Sequence, residues 1–188
     1  MQKLPQLDKL NNSNVQGLDL VRLIDVRDVA GFLTPENVWS GAYAGCLPVG
    51  GLVPNEGAVW IEMRFRAGAS NHTETRLKSN QGDSWQQTLS MQIPIDSPER
   101  AKLVRMLSRG RFIAIRMDAN EVVRVVGTVQ QPLKLADMAF TTSGLNAWTF
   151  SLLSTGPRQA YYINGWDDTD LYGNPADFAF NFSLDFNA

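Results

Sequence analysis

Residues 87–95 read QTLSMQIPI, in which Leu89, Met91, Ile93 and Ile95 fall on every second position and Thr88, Ser90 and Gln92 fill the gaps. Successive side chains of a strand point to opposite sides of the sheet, so this spacing predicts a strand with one dry and one wet face. The same period runs through residues 58–67, AVWIEMRFRA, with Val59, Ile61, Met63 and Phe65 facing one way and Trp60, Glu62, Arg64 and Arg66 the other. Between the two lies SNHTETRLKSNQGDSW, residues 70–85. It reads as the long polar loop of a hairpin, the kind of tip that contacts something else. A third alternating run closes the sequence, DFAFNFSLDFNA, with Phe178, Phe180, Phe182, Leu184 and Phe186 in phase. That face is expected to complete the core of this chain.

One segment is helical. In DSPERAKLVRMLSRG, Ser97 suits an N-cap, Pro98 suits the first helical position where its missing N–H costs nothing, and Gly110 supplies the stop. Leu103, Val104, Met106 and Leu107 give an apolar face that would cover a sheet. Next come two β-rich runs, RFIAIRMD and EVVRVVGTV, around a turn at Asp118 to Glu121. LVRLIDVRDV reads as a strand, PLKL and MAFTT as short extended pieces, and NAWTFSLLST as a strand with Trp148, Phe150 and Leu152 on one face. Asn164-Gly165 is a further turn signal, and the glycine- and proline-dense stretch from Gly41 to Gly57 reads as an extended connection. About eight or nine strands and one helix, at residues 98–109, predict a mainly β (α+β) fold, an antiparallel β-sandwich or barrel with one packed α-helix.

The 188 residues suit a single domain, 1–188, with residues 1–14 as an N-terminal arm. A net charge of −2 with 44% hydrophobic and 19% charged residues gives no reason to expect nonspecific binding to nucleic acid or an anionic membrane, and neither sequence-specific nucleic-acid binding nor a membrane partner is expected. MQKLPQLDKLNNSN lacks the apolar h-region of an export signal, and there is no run of apolar residues long enough for a membrane helix. The single cysteine, Cys46, is expected to be structural.

The residues that carry chemistry are sparse. The only histidine, His72, falls in the polar SNHTET stretch and reads as an exposed loop residue. Without a second histidine or a cysteine cluster there is no zinc ligand set, and no nucleophile-and-base pattern points to an enzyme. The stretch DDTDLYGN opens like a calcium loop with Asp168, Asp170 and Gly173, but Tyr172 replaces an oxygen ligand and Ala179 stands where the bidentate glutamate belongs. No catalytic residue, cofactor or metal site is therefore assigned. Exposed Trp60, Trp85 or Trp166 could serve a carbohydrate-binding face, as aromatic platforms do.

Charge is distributed unevenly. Arg100, Lys102, Arg105, Arg109, Arg111, Arg116 and Arg124 crowd one stretch, whereas Asp167, Asp168, Asp170, Asp177 and Asp185 lie beyond Arg158 with no base among them. Such faces either neutralise one another within one molecule or suit head-to-tail contact between copies. The candidate subunit interface comprises Trp60, Arg64, Arg66, Arg100, Lys102, Arg105 and Arg109 with Asp167, Asp168 and Asp170.

The order of two alternating strands, the capped helix SPERAKLVRMLSRGRF, the hairpin FIAIRMDANEVVRVVGTV and then TTSGLNAWTFSLLSTGP resembles the tail-tube subunits of tailed bacteriophages and the tube proteins of contractile injection systems. The resemblance covers roughly residues 58–163. It implies a virion structural protein that is not an enzyme, a homo-oligomer whose copies form rings and stack into a tube by pairing of sheets, with other virion proteins as partners. Synthesis in the host cytoplasm would follow. A head-decoration or head-to-tail connector protein is the alternative structural role, and a carbohydrate-binding β-sandwich module is the alternative class.

Overall fold

The computed structural model describes residues 16–32, 45–47, 51–66, 68–80, 82–94, 97–142 and 146–163. The expected N-terminal arm, the alternating C-terminal run, the turn at Asn164-Gly165 and Asp167, Asp168 and Asp170 lie outside the described residues.

The elements run β1 (Leu18–Asp25), β2 (Val29–Phe32), β3 (Cys46–Leu47), β4 (Leu52–Pro54), β5 (Trp60–Arg64), β6 (Ser70–Ser79), β7 (Gly82–Pro94), α1 (Pro98–Arg109), β8 (Phe112–Asp118), β9 (Val123–Val126), β10 (Lys134–Thr141), β11 (Ala147–Gly156) and β12 (Tyr161–Ile163), with a 3-10 turn at Val26–Asp28 after β1. They form a six-stranded sheet of order β3-β12-β9-β8-β1-β5, a four-stranded sheet of order β10-β11-β7-β6 and a two-stranded ribbon, β2-β4. All neighbours are antiparallel except β12 and β3. The fold is mainly β, an α+β sandwich-like arrangement with one helix.

Two cores explain why the strands have these sequences. Between the large sheets lie Val21 and Leu23 of β1, Ile61 and Met63 of β5, Leu89, Met91 and Ile93 of β7, Phe150 and Leu152 of β11, and Leu103 and Leu107 of α1. The opposite face of the six-stranded sheet buries Ile24, Trp60, Ile113, Ile115, Val123 and Val125 with Leu52 of the ribbon. A sheet buried on both sides needs continuous apolar runs, which is why FIAI in β8 and LVRLI in β1 do not alternate cleanly. Each fully buried leucine, isoleucine or methionine contributes about 1.5–3 kcal/mol.

The helix forms where expected. Ser97 Oγ accepts from the Arg100 N–H at 3.3 Å, and the Gly110 N–H donates to the Met106 carbonyl. Leu103, Val104 and Leu107 are buried, whereas Met106 is exposed. The turn after β8 is set by Asp118, whose Oδ1 accepts from the N–H groups of Asn120 and Val122 at 2.9 and 3.0 Å.

The expected long polar loop at 70–85 is not a loop. It forms β6 and the start of β7, paired residue for residue from Ser70–Met91 to Ser79–Gly82. Gly82 sits at φ 119, a conformation that side chains disfavour, and this allows the tight reversal. The segment conceals its strand character because β6 is an edge strand whose side chains are mostly exposed. Nor do residues 58–67 pair with 87–95 as a hairpin: β5 pairs with β1, and β6 occupies the place beside β7. The two short pieces PLKL and MAFTT belong largely to one strand, β10, kinked by an irregularity between Leu135 and Asp137.

Candidate functional site: an open four-stranded sheet and the charged layer beneath it

Residues opposite one another in register share a face, so the two sides of the four-stranded sheet can be read directly. Inward point Leu89, Met91, Phe150 and Leu152, with Ser70, His72 and Glu74 of β6 in the same phase. Outward point Asn71, Thr73 and Thr75 of β6, Gln86, Thr88, Ser90 and Gln92 of β7, and Thr149, Ser151 and Thr155 of β11. Leu77 of β6 and Leu153 of β11 share that phase, so those three strands present a hydroxyl and amide surface interrupted by two leucines, with no charged group in these rows.

Among the described residues, no strand pairs with the far edge of β6 or of β10. At β10 the inward-phase Met138 and Phe140 are 37% and 38% exposed, and Phe140 lies 4.8 Å from the Trp148 ring, tilted by 42°. Large apolar side chains beside an open strand edge are features that monomeric proteins ordinarily avoid or cover.

Beneath the β6 edge the sandwich interior is charged. Arg116 of β8 and Arg124 of β9 stand directly opposite each other in phase with Ala114 and Val126, and so point between the sheets. Two like charges facing across a ladder are unfavourable unless each is compensated. Arg116 Nη1 donates to Asp118 Oδ2 at 2.9 Å, and Arg124 Nη1 donates to Glu74 Oε2 at 2.9 Å. The other Glu74 oxygen accepts from the Ala160 N–H at 2.6 Å, and the Arg124 guanidinium lies 4.0 Å over the Tyr162 ring. Glu74 therefore fastens the edge strand β6 both to the six-stranded sheet and to the segment leading into β12.

His72 sits in this layer and is not the exposed loop residue expected. Burial, followed by the positive charges of Arg116 and Arg124, lowers its pKa from 6.5 to about 3. Its Nε2 is buried without a hydrogen-bond partner among the described residues. Desolvation likewise pulls Arg116 below the usual arginine range, opposed by its hydrogen bond to Asp118.

The sequence-derived interface residues that are described differ in environment. Trp60 is 7% exposed and belongs to the second core, because β5 is covered on the face where alternation placed Trp60 and Glu62 in solvent. Arg64 is exposed and donates from Nε to Glu62 Oε1 at 3.1 Å, the same carboxylate that holds buried Arg22 at 2.7 Å. Arg66 is exposed. Arg100 is half-buried and donates to the Pro94 carbonyl, whereas Lys102, Arg105 and Arg109 line the exposed side of α1. Trp85 is half-buried on β7 and Trp148 packs against the first core. Among the described residues, no group of three or more His, Cys, Asp or Glu side chains could hold a metal ion, and no helix is long and apolar enough to cross a membrane.

Reading by alternation found the wet face of β7 but missed its continuation onto β6, because 70–85 carries too few apolar residues to display a period. The fold class is thus a sandwich-like α+β protein. Beyond it, no family model, no curated protein and no solved structure matches the chain.

Proposed function

We propose that this protein is a non-enzymatic structural subunit that assembles head to tail by sheet pairing between copies, in the manner of the virion tail-tube proteins its sequence resembles. The observation that carries this reading is the four-stranded sheet in which, among the described residues, β6 and β10 are open edges. Its strands alternate in direction, so β6 and β10 run opposite ways. A second copy related by rotation about an axis along the strands therefore brings its β10 antiparallel to β6 and continues the alternation. Repetition of that contact, in which one surface meets a different surface of the next copy, generates a ring where the rotation closes and an open filament where it does not. Met138 and Phe140 then gain cover that the described residues do not provide. The basic side of α1, with Lys102, Arg105 and Arg109, and the acidic Asp167, Asp168 and Asp170 supply a second contact in this reading, between stacked rings.

Cysteine pairs stepped along the outward positions of β6 (Asn71, Thr73, Thr75) and β10 (Asp137, Ala139, Thr141) test the contact. In a Cys46→Ser background, where the introduced thiols are the sole ones, oxidation of at least one pair should give a ladder of covalent oligomers while each single cysteine stops at dimers. Absence of a ladder from every pair at high protein concentration would count decisively against edge pairing.

A further inference from the structure

The outer face of the four-stranded sheet is hollowed into a groove of about 330 Å³. Its floor is a straight row of polar side chains across all four strands. Asn71 of β6 stands opposite Ser90 of β7, Ser90 opposite Ser151 of β11, and Ser151 opposite Asp137 of β10. Neighbouring strands lie about 4.8 Å apart, so the row spans roughly 14 Å. Gln92 and Thr149, opposite each other, make a second row beside it. Gly68 and Ala69 close one end, where the Gln92 N–H donates to the Ala69 carbonyl at 2.9 Å.

These groups are available for binding. Among the described residues the side chains of Asn71, Ser90, Gln92 and Ser151 make no hydrogen bond, and Asp137 uses only Oδ1, which accepts from the Met138 N–H at 2.8 Å. Thr149 reaches the Ala139 carbonyl at 3.4 Å, the long limit of such a bond.

The chemistry of the lining selects the ligand. Amides and hydroxyls donate and accept at the same time, which matches sugar hydroxyls that do both. Among the described residues the one charge in the lining is the Asp137 carboxylate, and no Arg or Lys lines the groove, so phosphates, carboxylates and nucleic acid are disfavoured. One carboxylate among neutral oxygens is also a poor set for a divalent cation. We propose that this groove binds a neutral oligosaccharide laid across the strands, with Asp137 accepting a charge-assisted hydrogen bond from a hydroxyl. Edge-to-edge pairing leaves the sheet face uncovered, so a ring would display one such groove per subunit. The inference stands whether or not the copies pair.

The test is titration calorimetry of the full chain with maltohexaose, cellohexaose and chitohexaose. At least one should bind saturably at millimolar concentration or below. A Ser90→Val/Ser151→Val double variant, β-branched and compatible with strands, should weaken that binding roughly tenfold or more, with thermal unfolding and circular dichroism unchanged. Asp137→Asn, which keeps an oxygen for the Met138 N–H, should weaken it as well. No binding by any of the three sugars, or binding that survives the double substitution, would overturn the proposal.

Discussion

Acidification from pH 7 to pH 5 is expected to cost this protein about 2 kcal/mol of stability through His72 alone, and a His72→Gln variant should lack that loss. The side chain lies between the sheets on β6, facing Arg116 of β8 and Arg124 of β9, with Glu74 on its own strand and Asp118 at the end of β8 compensating those arginines. Its folded pKa is about 3 against an ordinary 6.5. Between those values the unfolded chain binds a proton that the folded one refuses, so stability falls as pH drops through 6.5 and continues to fall toward 3. Each pH unit well inside that window costs about 1.4 kcal/mol, and the curvature near 6.5 reduces the loss between pH 7 and pH 5 to about 2 kcal/mol. For a domain of this size that is a fall of roughly 4–8 °C in Tm. Urea denaturation followed by tryptophan fluorescence at both pH values, in the wild type and in His72→Gln, isolates the contribution. The carboxylates titrate in both proteins and cancel in the difference. Equal pH dependence in the two proteins would refute the placement of His72 between the sheets.

Three further outcomes follow from named contacts. Ser97→Ala removes the oxygen that accepts from the Arg100 N–H and should cost about 1 kcal/mol in denaturant unfolding, with the loss confined to α1 by hydrogen exchange. Leu152→Ala, at a fully buried position between the sheets, should cost about 2–5 kcal/mol in the same assay. Phe140→Lys introduces a charge at the exposed apolar edge of β10 and forfeits the contact with Trp148, worth about 0.5–1.5 kcal/mol, so the chain should stay folded while self-association seen by sedimentation falls sharply.

The elements whose residues obey one strong rule were legible in the sequence. Helix α1 carried its cap, its proline and its stop within residues 97–110, and β7 and β11 displayed clean alternation because one face is dry and the other wet. The assignments that failed did so for physical reasons. Trp60 and Glu62 looked solvent-facing by phase, yet β5 lies in a sheet buried on both sides, and alternation cannot reveal a second layer formed by β2, β4 and distant strands. His72 and Glu74 were read as loop because an edge strand over a charged interior has no apolar period to show. Arg116 and Arg124 belong to a basic stretch whose linear order does not show that their register places them opposite each other between the sheets. The groove was legible only in part: Ser90 and Gln92 fell on the wet face of a recognised strand, whereas their alignment with Asn71, Ser151 and Asp137 is set by pairing across four strands, which no single segment encodes.

The edges of this sheet, open among the described residues, pair between copies in the proposed assembly. Light scattering of the full chain across a concentration series, with negative-stain electron microscopy of the same samples, tests it most directly. Mass that rises with concentration to a fixed multiple or to polymers, with rings or tubes on the grid, is the predicted result; a single-chain mass at every concentration in moderate salt, with no ordered particles, would contradict it.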